Sequence, residues 1–547
     1  MAYFYFDQQQ ADRYSRITAL RSIAAQLLHS QRHNRTFIDI ASMMTMDEGQ
    51  GQMFASEQAL QSLIRIYVEQ LDSCYLVVDG LDECAEWDEF LISLRKCTEH
   101  TSCKIVILTR PHLFISSIIG QNPFQIRLEQ DENLEDIDSF LRPGISSLIK
   151  EGKFGKSYTV VRANTVVRTL ARRADSIFLW AELMLKYLSS HILTPNDRIK
   201  IIEEDSSFQG LENLYDNIIK DLEKRVPRSE YTKVQKVFKW LVVLQQPWTA
   251  KMLETALAVK LGRPSTQDDF TENFEWALLQ LCGPLVEIYS NSVVRFIHLS
   301  VAEYLLQDRK DMALSPFKVN VADAHCSMAI LSLSYLFHEI PRGPLSGNHE
   351  IAPNGQLLST KYCLLRYAAT KWSKHVCMSL EIQLENIQED DAKLIGGSLK
   401  LSGHLLHLLS KIVADKIFVT SWIEASWIFE APPTLLELPY QISQAAEYLG
   451  SNGRPQFKVL GETLKKLSKN LVHLNKDWAH ILAVQPNEIW LPSMNALTDS
   501  EFWIGTESAK VSWLDCPEEG ESVLLVSQVS DDGKEIGVIK VWPSRLV

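Results

Sequence analysis

Cys74-Tyr75-Leu76-Val77-Val78-Asp79-Gly80-Leu81-Asp82-Glu83 is the stretch on which the reading of the fold turns. Five mostly apolar residues run into Asp79, a glycine follows, and then come two more acids. A run this short and rich in valine predicts a buried parallel strand. Acids at the C-terminal end of such a strand lie where open α/β sheets take their ligands. In phosphate-handling folds the first of these acids holds Mg²⁺ and a later one orients the attacking water. The plain alternative is a strand that ends in a solvated acidic turn, and the neighbouring segments decide between the two.

Working outward, Ala2-Tyr3-Phe4-Tyr5-Phe6 reads as a short aromatic strand, and residues 19–29 carry apolar side chains at helical spacing. A loop follows, then a second helix over residues 56–71. Beyond the acidic stretch, residues 87–97 predict a crossover helix. Cys103-Lys104-Ile105-Val106-Ile107-Leu108-Thr109-Arg110-Pro111 predicts another buried strand stopped by Pro111, and Gln125-Ile126-Arg127-Leu128 a shorter fourth. Strands alternating with helices make a parallel sheet with right-handed crossovers, so residues 1–130 are expected to be α/β. In such a sheet Thr109-Arg110 comes close to Asp79. An arginine there suits contact with a γ-phosphate; a surface arginine at a strand end is the plain reading.

The rest of the chain is mainly helical in pattern. Helices are expected to open at residue 133 and over residues 165–174 and 178–190, with another around Leu214, Tyr215, Ile218 and Ile219. Phe178 and Trp180 are read as core. Residues 231–306 form a compact unit closed by a hairpin, residues 286–289 against 293–296. Residues 394–414 and 445–475 read as helices and residues 486–493 as a Pro-bounded turn. Short strands follow at residues 511–513, 523–526 and 536–542. No ankyrin, tetratricopeptide or WD40 period is present.

Composition narrows the function. The 547 residues are 46% hydrophobic and 22% charged, enough for several ordinary globular domains. The formal net charge of -13 argues against a general nucleic-acid or anionic-membrane binder, which needs a basic surface. Nine cysteines lie singly with no Cys-x-x-Cys pair, which argues against a disulfide framework or zinc ribbon and for a reducing, cytoplasmic setting. No apolar run reaches the length of a membrane span, and the first residues lack the basic and apolar regions of a signal peptide.

Three local stretches carry residue types that suggest chemistry. Glu151-Gly152-Lys153-Phe154-Gly155-Lys156-Ser157 contains Gly-Lys-Ser, but Lys150 stands where a P-loop needs glycine and the stretch follows an amphipathic helix. His298 with Ser300 invites a hydrolase reading, yet the chain has no Gly-x-Ser-x-Gly, and a histidine bonded at a hairpin–helix junction is the expectation. His404 and His407 share a helix face without a further ligand nearby, a weak metal signal.

The ordered series of motifs resembles the NACHT-type NTPase domain of fungal STAND proteins, in particular the nephrocystin-type N-terminal domain. The residues that carry it are the aromatic strand, a Leu20-Arg21-Ser22 helix, Leu76-Val77-Val78-Asp79-Gly80-Leu81-Asp82-Glu83 and Ile105-Val106-Ile107-Leu108-Thr109-Arg110-Pro111. Ser176-Ile177-Phe178-Leu179-Trp180-Ala181 is similar to a helix of that family. Gln246-Pro247-Trp248-Thr249 and Phe296-Ile297-His298-Leu299-Ser300-Val301-Ala302-Glu303-Tyr304-Leu305 are similar to the winged helix beside inositol-deacylase modules. Tyr367-Ala368-Ala369 with Trp372 and His375 resembles the end of the helical region, and Pro486 to Ser493 a segment that precedes repeats in some relatives. The similarity covers residues 1 to about 376.

The resemblance implies a P-loop-type NTPase core over residues 1–130, a helical lid over 131–226 and a winged helix over 227–310. A helical region over 311–378, a helical linker over 379–505 and a short β segment over 506–547 complete the expectation. It makes Asp79 the Walker B aspartate and Mg²⁺ ligand, Asp82 and Glu83 the water-handling acids, and Arg110 the nucleotide sensor. The cofactor would be Mg-ATP or Mg-GTP, and the partners other proteins and further copies of the chain. The departure is that the family's Walker A loop, expected before the strand at residues 2–6, is not among these residues; the expectation is a truncated site with weak or absent hydrolysis. Residues 250–259, with Lys251 and the following Lys260 but also Glu254, are the candidate helix to face nucleic acid, and read as packing instead. Two other readings stay open: an interaction module that never binds nucleotide, and a regulator of an inositol-deacylase-like hydrolase.

Overall fold

The computed structural model describes the chain apart from residues 8–12, 48–54, 111–112, 114, 116–117, 119–123, 125, 127–132, 156–159, 191–192, 204–207, 290, 308–314, 349–350, 391–402, 436, 449–454, 492–497, 499, 505–522, 530–535 and 542–547. The described chain is mainly helical, with one small parallel sheet and small antiparallel ones. It divides into two compact units. The first comprises Met1–Ile218, Leu244–Pro247 and Phe296–Val301, and the second Ile219–Val243, Trp248–Arg295 and Ala302–Val547. Among the described residues no helix is long and apolar enough to cross a membrane.

In the first unit three parallel strands, β1 (Ala2–Tyr5), β2 (Cys74–Asp79) and β3 (Cys103–Ile107), lie side by side in that order. Their register pairs Tyr5 with Asp79 and Val78 with Ile107. Helices α1 (Arg16–Ser30), α2 (Arg35–Asp47) and α3 (Glu57–Gln70) connect β1 to β2, and α4 (Trp87–Thr98) connects β2 to β3. Residues 31–55, expected to be loop, therefore contain a helix: Phe37 is buried and its ring meets Tyr67 edge-on, so tertiary packing fixes a segment with a weak local pattern.

The strands are not buried on both faces as expected. Ala2, Phe4, Cys74, Leu76 and Val78 join the helices in one core, while Tyr3, Tyr5, Tyr75, Val106 and Leu108 on the other face are each close to half exposed. The cause is topological. Both crossovers step in the same direction, and right-handed connections that step one way put their helices on one face. At the outer edge of β1 the Gln26 amide donates to the Tyr3 carbonyl at 2.7 Å and accepts its N–H at 3.1 Å, and among the described residues no further strand pairs there. The expected strand at residues 125–128 falls, apart from Ile126, outside the described residues.

Four helices with regular apolar spacing follow: α5 (Leu134–Lys150), α6 (Val160–Arg173), α7 (Phe178–Ser189) and α8 (Pro195–Glu203), the last not foreseen. Trp180 is core, as expected, and its indole N–H donates to the Phe208 carbonyl at 2.8 Å. Phe178 is not: it is 42% exposed and only edges against Phe140, because it occupies the outward first turn of α7.

The second unit is built largely of α9 (Leu211–Arg225, which begins in the first), α10 (Tyr231–Val243), a short β4 (Trp248–Thr249), α11 (Ala250–Ala258), α12 (Phe274–Cys282), the hairpin β5 (Val286–Ile288) and β6 (Val293–Phe296), and a helical array. After α13 (Leu299–Leu306), the array runs through α14 (Val321–His338), α15 (Gly355–Lys361), α16 (Leu365–Asp390), α17 (Gly403–Ala414), α18 (Lys416–Ile428), α19 (Leu438–Tyr448) and α20 (Pro455–Leu482). The single helix expected over residues 445–475 is two, since α19 ends before Pro455, which opens α20. A two-stranded antiparallel sheet, β7 (Val523–Val529) with β8 (Ile536–Val541), ends the described chain; the strand expected at 511–513 lies outside the described residues.

Candidate functional site

The acidic stretch turns sharply at the end of β2. Gly80 has φ +68, and a Cβ there would lie 3.1 Å from the Phe6 carbonyl oxygen, so the turn needs glycine. The next three residues, Leu81–Glu83, form one 3-10 turn in which the Glu83 N–H donates to the Gly80 carbonyl at 2.8 Å. Leu81 is pulled into the core. This anchor turns the following acids back toward the ends of the strands.

The structure brings Asp79, Asp82, Thr109 and Arg110 to one end of the sheet, but it gives the acids different states. Asp82 is engaged. Its Oδ1 accepts the Arg110 backbone N–H at 3.1 Å and the Thr109 hydroxyl at 3.3 Å, and its Oδ2 faces the Arg110 Nε at 3.1 Å. Only 7% of the Asp82 side chain is exposed. Asp79 is half-buried and its carboxylate has no partner among the described residues; only its backbone is used, the carbonyl accepting the Phe6 N–H at 2.9 Å. Glu83 is half-buried on the 3-10 turn. One open carboxylate at the strand end is a suitable hard-oxygen ligand for Mg²⁺. The same end therefore holds one open acid and one acid committed to an arginine.

Sequence reasoning missed the neighbouring hub. Arg16, the first residue of α1, meets Glu57 through Nη1, Glu86 through Nε at 2.8 Å and Glu89 through Nη2 at 2.9 Å. Three acids from α3 and from the start of α4 converge on one cation, tying three helix ends together. Their separation in sequence hid the cluster, since no local spacing announces it.

Two of the rival signals are engaged in structural bonds. The Gly-Lys-Ser stretch begins at the C-terminal end of α5, where Gly152 and Gly155 adopt φ +74 and +80. Helix C-termini carry partial negative charge and disfavour phosphate. The Lys153 carbonyl is held at 3.1 Å by the buried Arg198, which also donates to Leu188 at 2.6 Å and to Ser190 and Leu193; Lys156 and Ser157 lie outside the described residues. His298 Nδ1 accepts the Ser300 N–H at 3.1 Å and meets its hydroxyl at 2.8 Å, the junction bond that was expected. The Ser300 hydroxyl also meets Tyr215 at 2.9 Å, which ties the junction to α9. His404 and His407 sit exposed on α17, and the described residues contain no group of three or more potential metal ligands.

Two buried titratable clusters in the second unit were also invisible in the sequence. Glu424 on α18 is fully buried. It accepts the Leu345 N–H at 3.1 and 3.2 Å and the Trp490 indole N–H at 2.7 Å, and burial pushes its pKa up to about 7. His375 on α16 meets His325 on α14 at 2.7 Å, Nδ1 to Nδ1, and Tyr367 at 2.7 Å through Nε2. Burial lowers His325 to about 4 and, with the neighbouring His325, His375 to about 3.

The helix that precedes the hairpin corrects another expectation. The sequence pattern offers residues 250–259 as the groove-facing helix, but α12 stands between them and the hairpin. A helix-turn-helix gives that role to its second helix, here α12. The run Phe274-Glu275-Trp276-Ala277-Leu278-Leu279 carries the signal for it, and no basic residue.

Comparison with known families agrees with this layout. Residues 1–110 match the family model for nephrocystin 3, N-terminal, and residues 223–319 match that for the GPI inositol-deacylase winged helix domain. No curated protein and no solved structure matches the chain. The first match ends on Arg110, so it contains the whole Asp79–Arg110 cluster; the second runs from α9 through the hairpin and α13. The chain thus carries an N-terminal segment of the nephrocystin 3 type and, beyond it, a winged-helix segment of the GPI inositol-deacylase type.

Proposed function

We propose that the chain is a signalling scaffold of the NACHT/STAND kind, in which the cluster from Asp79 to Arg110 is the acid-and-sensor half of a Mg-nucleotide site. The observation that carries this is the open Asp79 carboxylate beside the Asp82–Arg110 pair at the C-terminal end of parallel strands. Asp79 would hold Mg²⁺, which when bound neutralises phosphate charge. Glu83 and Asp82 would hold the water. Arg110 is presented with its guanidinium on Asp82; to meet a γ-phosphate it would exchange one anion for another, leaving Asp82 free to accept from water. That exchange makes the pair a two-state element that nucleotide can bias.

The residues that would cradle the phosphates, a Gly-x-x-x-x-Gly-Lys-Ser/Thr loop after a strand, are not found in the described first unit. These 547 residues by themselves are therefore expected to bind Mg-ATP or Mg-GTP weakly and to turn it over slowly or not at all. Calorimetric titration and thermal shift with each Mg-nucleotide test the reading. Weak binding that Asp79→Ala abolishes supports it. Micromolar affinity overturns the placement of the cradle, and no response in either protein favours an interaction module without nucleotide. That second reading draws on the bare sheet face of Tyr3, Tyr5, Tyr75, Val106 and Leu108.

A further inference from the structure

We propose that the outward face of α12 is a docking surface for a basic amphipathic segment of a partner protein, one with an apolar stripe flanked by lysine or arginine. Trp276 on this helix is 68% exposed and Leu279, one turn on, is 38% exposed, while Leu278 and Cys282 on the other side are buried. Residues three apart lie together on a helix, so the indole and the leucine form one apolar spot facing solvent. An exposed tryptophan is the side chain that most often anchors a protein interface.

The charge around that spot selects the partner. Residues 264–294 contain the acids Asp268, Asp269, Glu272, Glu275 and Glu287 and no lysine or arginine. Asp268, Glu272 and Glu275 are exposed and make no ion pair among the described residues. The neighbouring cations are already engaged. Lys260 and Arg263 face Asp269 at 3.6 and 2.8 Å, Lys251 is held by Glu254 at 3.0 Å, and Arg295 stacks over Tyr289 at 3.6 Å. A helix in the position that reads DNA elsewhere is here negative and apolar. It repels a phosphate backbone and complements a positive segment with an apolar stripe. A helix laid by its apolar face against such a surface is an established mode of recognition.

The test is calorimetric titration of the full chain with a synthetic helix-forming peptide bearing leucines on one face and lysines on its flanks. A counterpart with every lysine replaced by glutamate and a short duplex DNA serve as comparisons. The basic peptide is expected to bind and the acidic peptide and DNA not to. Trp276→Ser is expected to weaken binding about tenfold or more, with an unchanged circular dichroism spectrum because the side chain is exposed. Glu272→Lys with Glu275→Lys is expected to invert the preference to the acidic peptide, which separates this surface from general attraction to an acidic chain. Undiminished binding by Trp276→Ser, equal binding of both peptides, or preference for DNA overturns the proposal. So does self-association that Trp276→Ser abolishes in a chain that ignores the basic peptide, since the occupant is then a second copy.

Discussion

The Asp82 carboxylate holds Arg110 twice, at the guanidinium Nε through Oδ2 and at the backbone N–H through Oδ1, both at 3.1 Å. The bond joins the turn after β2 to the end of β3, so one side chain sets the spacing of the two strand ends that form the candidate site. Asp79, three residues earlier, takes no such role. Asp82→Ala is expected to cost about 2 kcal/mol, the scale of lost charge-assisted hydrogen bonds. Asp79→Ala is expected to stay within about 0.5 kcal/mol. Urea denaturation of the two variants checks the contrast, and an equal loss in both would show that Asp79 is structural too.

Gly80 sets where those acids point. With φ +68 and a carbonyl 3.1 Å from the position of a Cβ, Gly80→Ala is expected to destabilise by about 1–2 kcal/mol. The reason is strain together with a close approach to Phe6. A thermal midpoint that does not fall would mean that the turn can relax.

Glu424 links stability to pH. Its carboxyl titrates near 7 in the folded chain against an ordinary 4.5, so the folded state binds the proton more tightly. The contribution is full below the unfolded value and is lost as pH rises through the folded one. Between pH 4.5 and 7 the wild-type chain should lose about 3 kcal/mol relative to Glu424→Gln. Denaturation midpoints of the two proteins across this range, followed through a fluorinated Trp490, give the difference directly. A pH-independent difference would place the ionised form in the folded chain throughout.

The His325–His375 pair acts with the opposite sign. Both rings are pushed below 6.5, so the folded chain resists protonation and loses stability as pH falls from 6.5 toward 4 and 3. His375→Gln, which keeps an amide near Tyr367, should shallow the acid limb of the stability profile. An unchanged limb would mean that the carboxylates alone cause acid unfolding.

Much of the first unit was readable because its signals are local. The valine-rich run before Asp79, the isoleucine-rich run before Thr109 and the amphipathic helix of residues 87–97 each fit inside one window of periodicity. Their order then implied a parallel sheet. The helix at residues 35–47 has a weak local pattern, Phe37 being its one deeply buried side chain among the described residues, and α12 is merged with its neighbours in the sequence pattern. Burial of β3 was overestimated, since an apolar run shows that a strand can be covered and not that a helix covers it.

The sequence by itself determined the strand ends, the glycine turn and the residue types gathered there, because each is set by a few adjacent side chains. Tertiary structure decided what the acids do. Asp82 is committed to Arg110 across 28 positions of chain, and the Asp79 carboxylate has no partner among the described residues. Arg16 collects Glu57, Glu86 and Glu89, and Glu424 meets Trp490 across 66 positions. Hydrogen bonds and ion pairs act over about 3 Å of space whatever the distance along the chain. Which carboxylate is free and which is spent is therefore written only in the folded molecule.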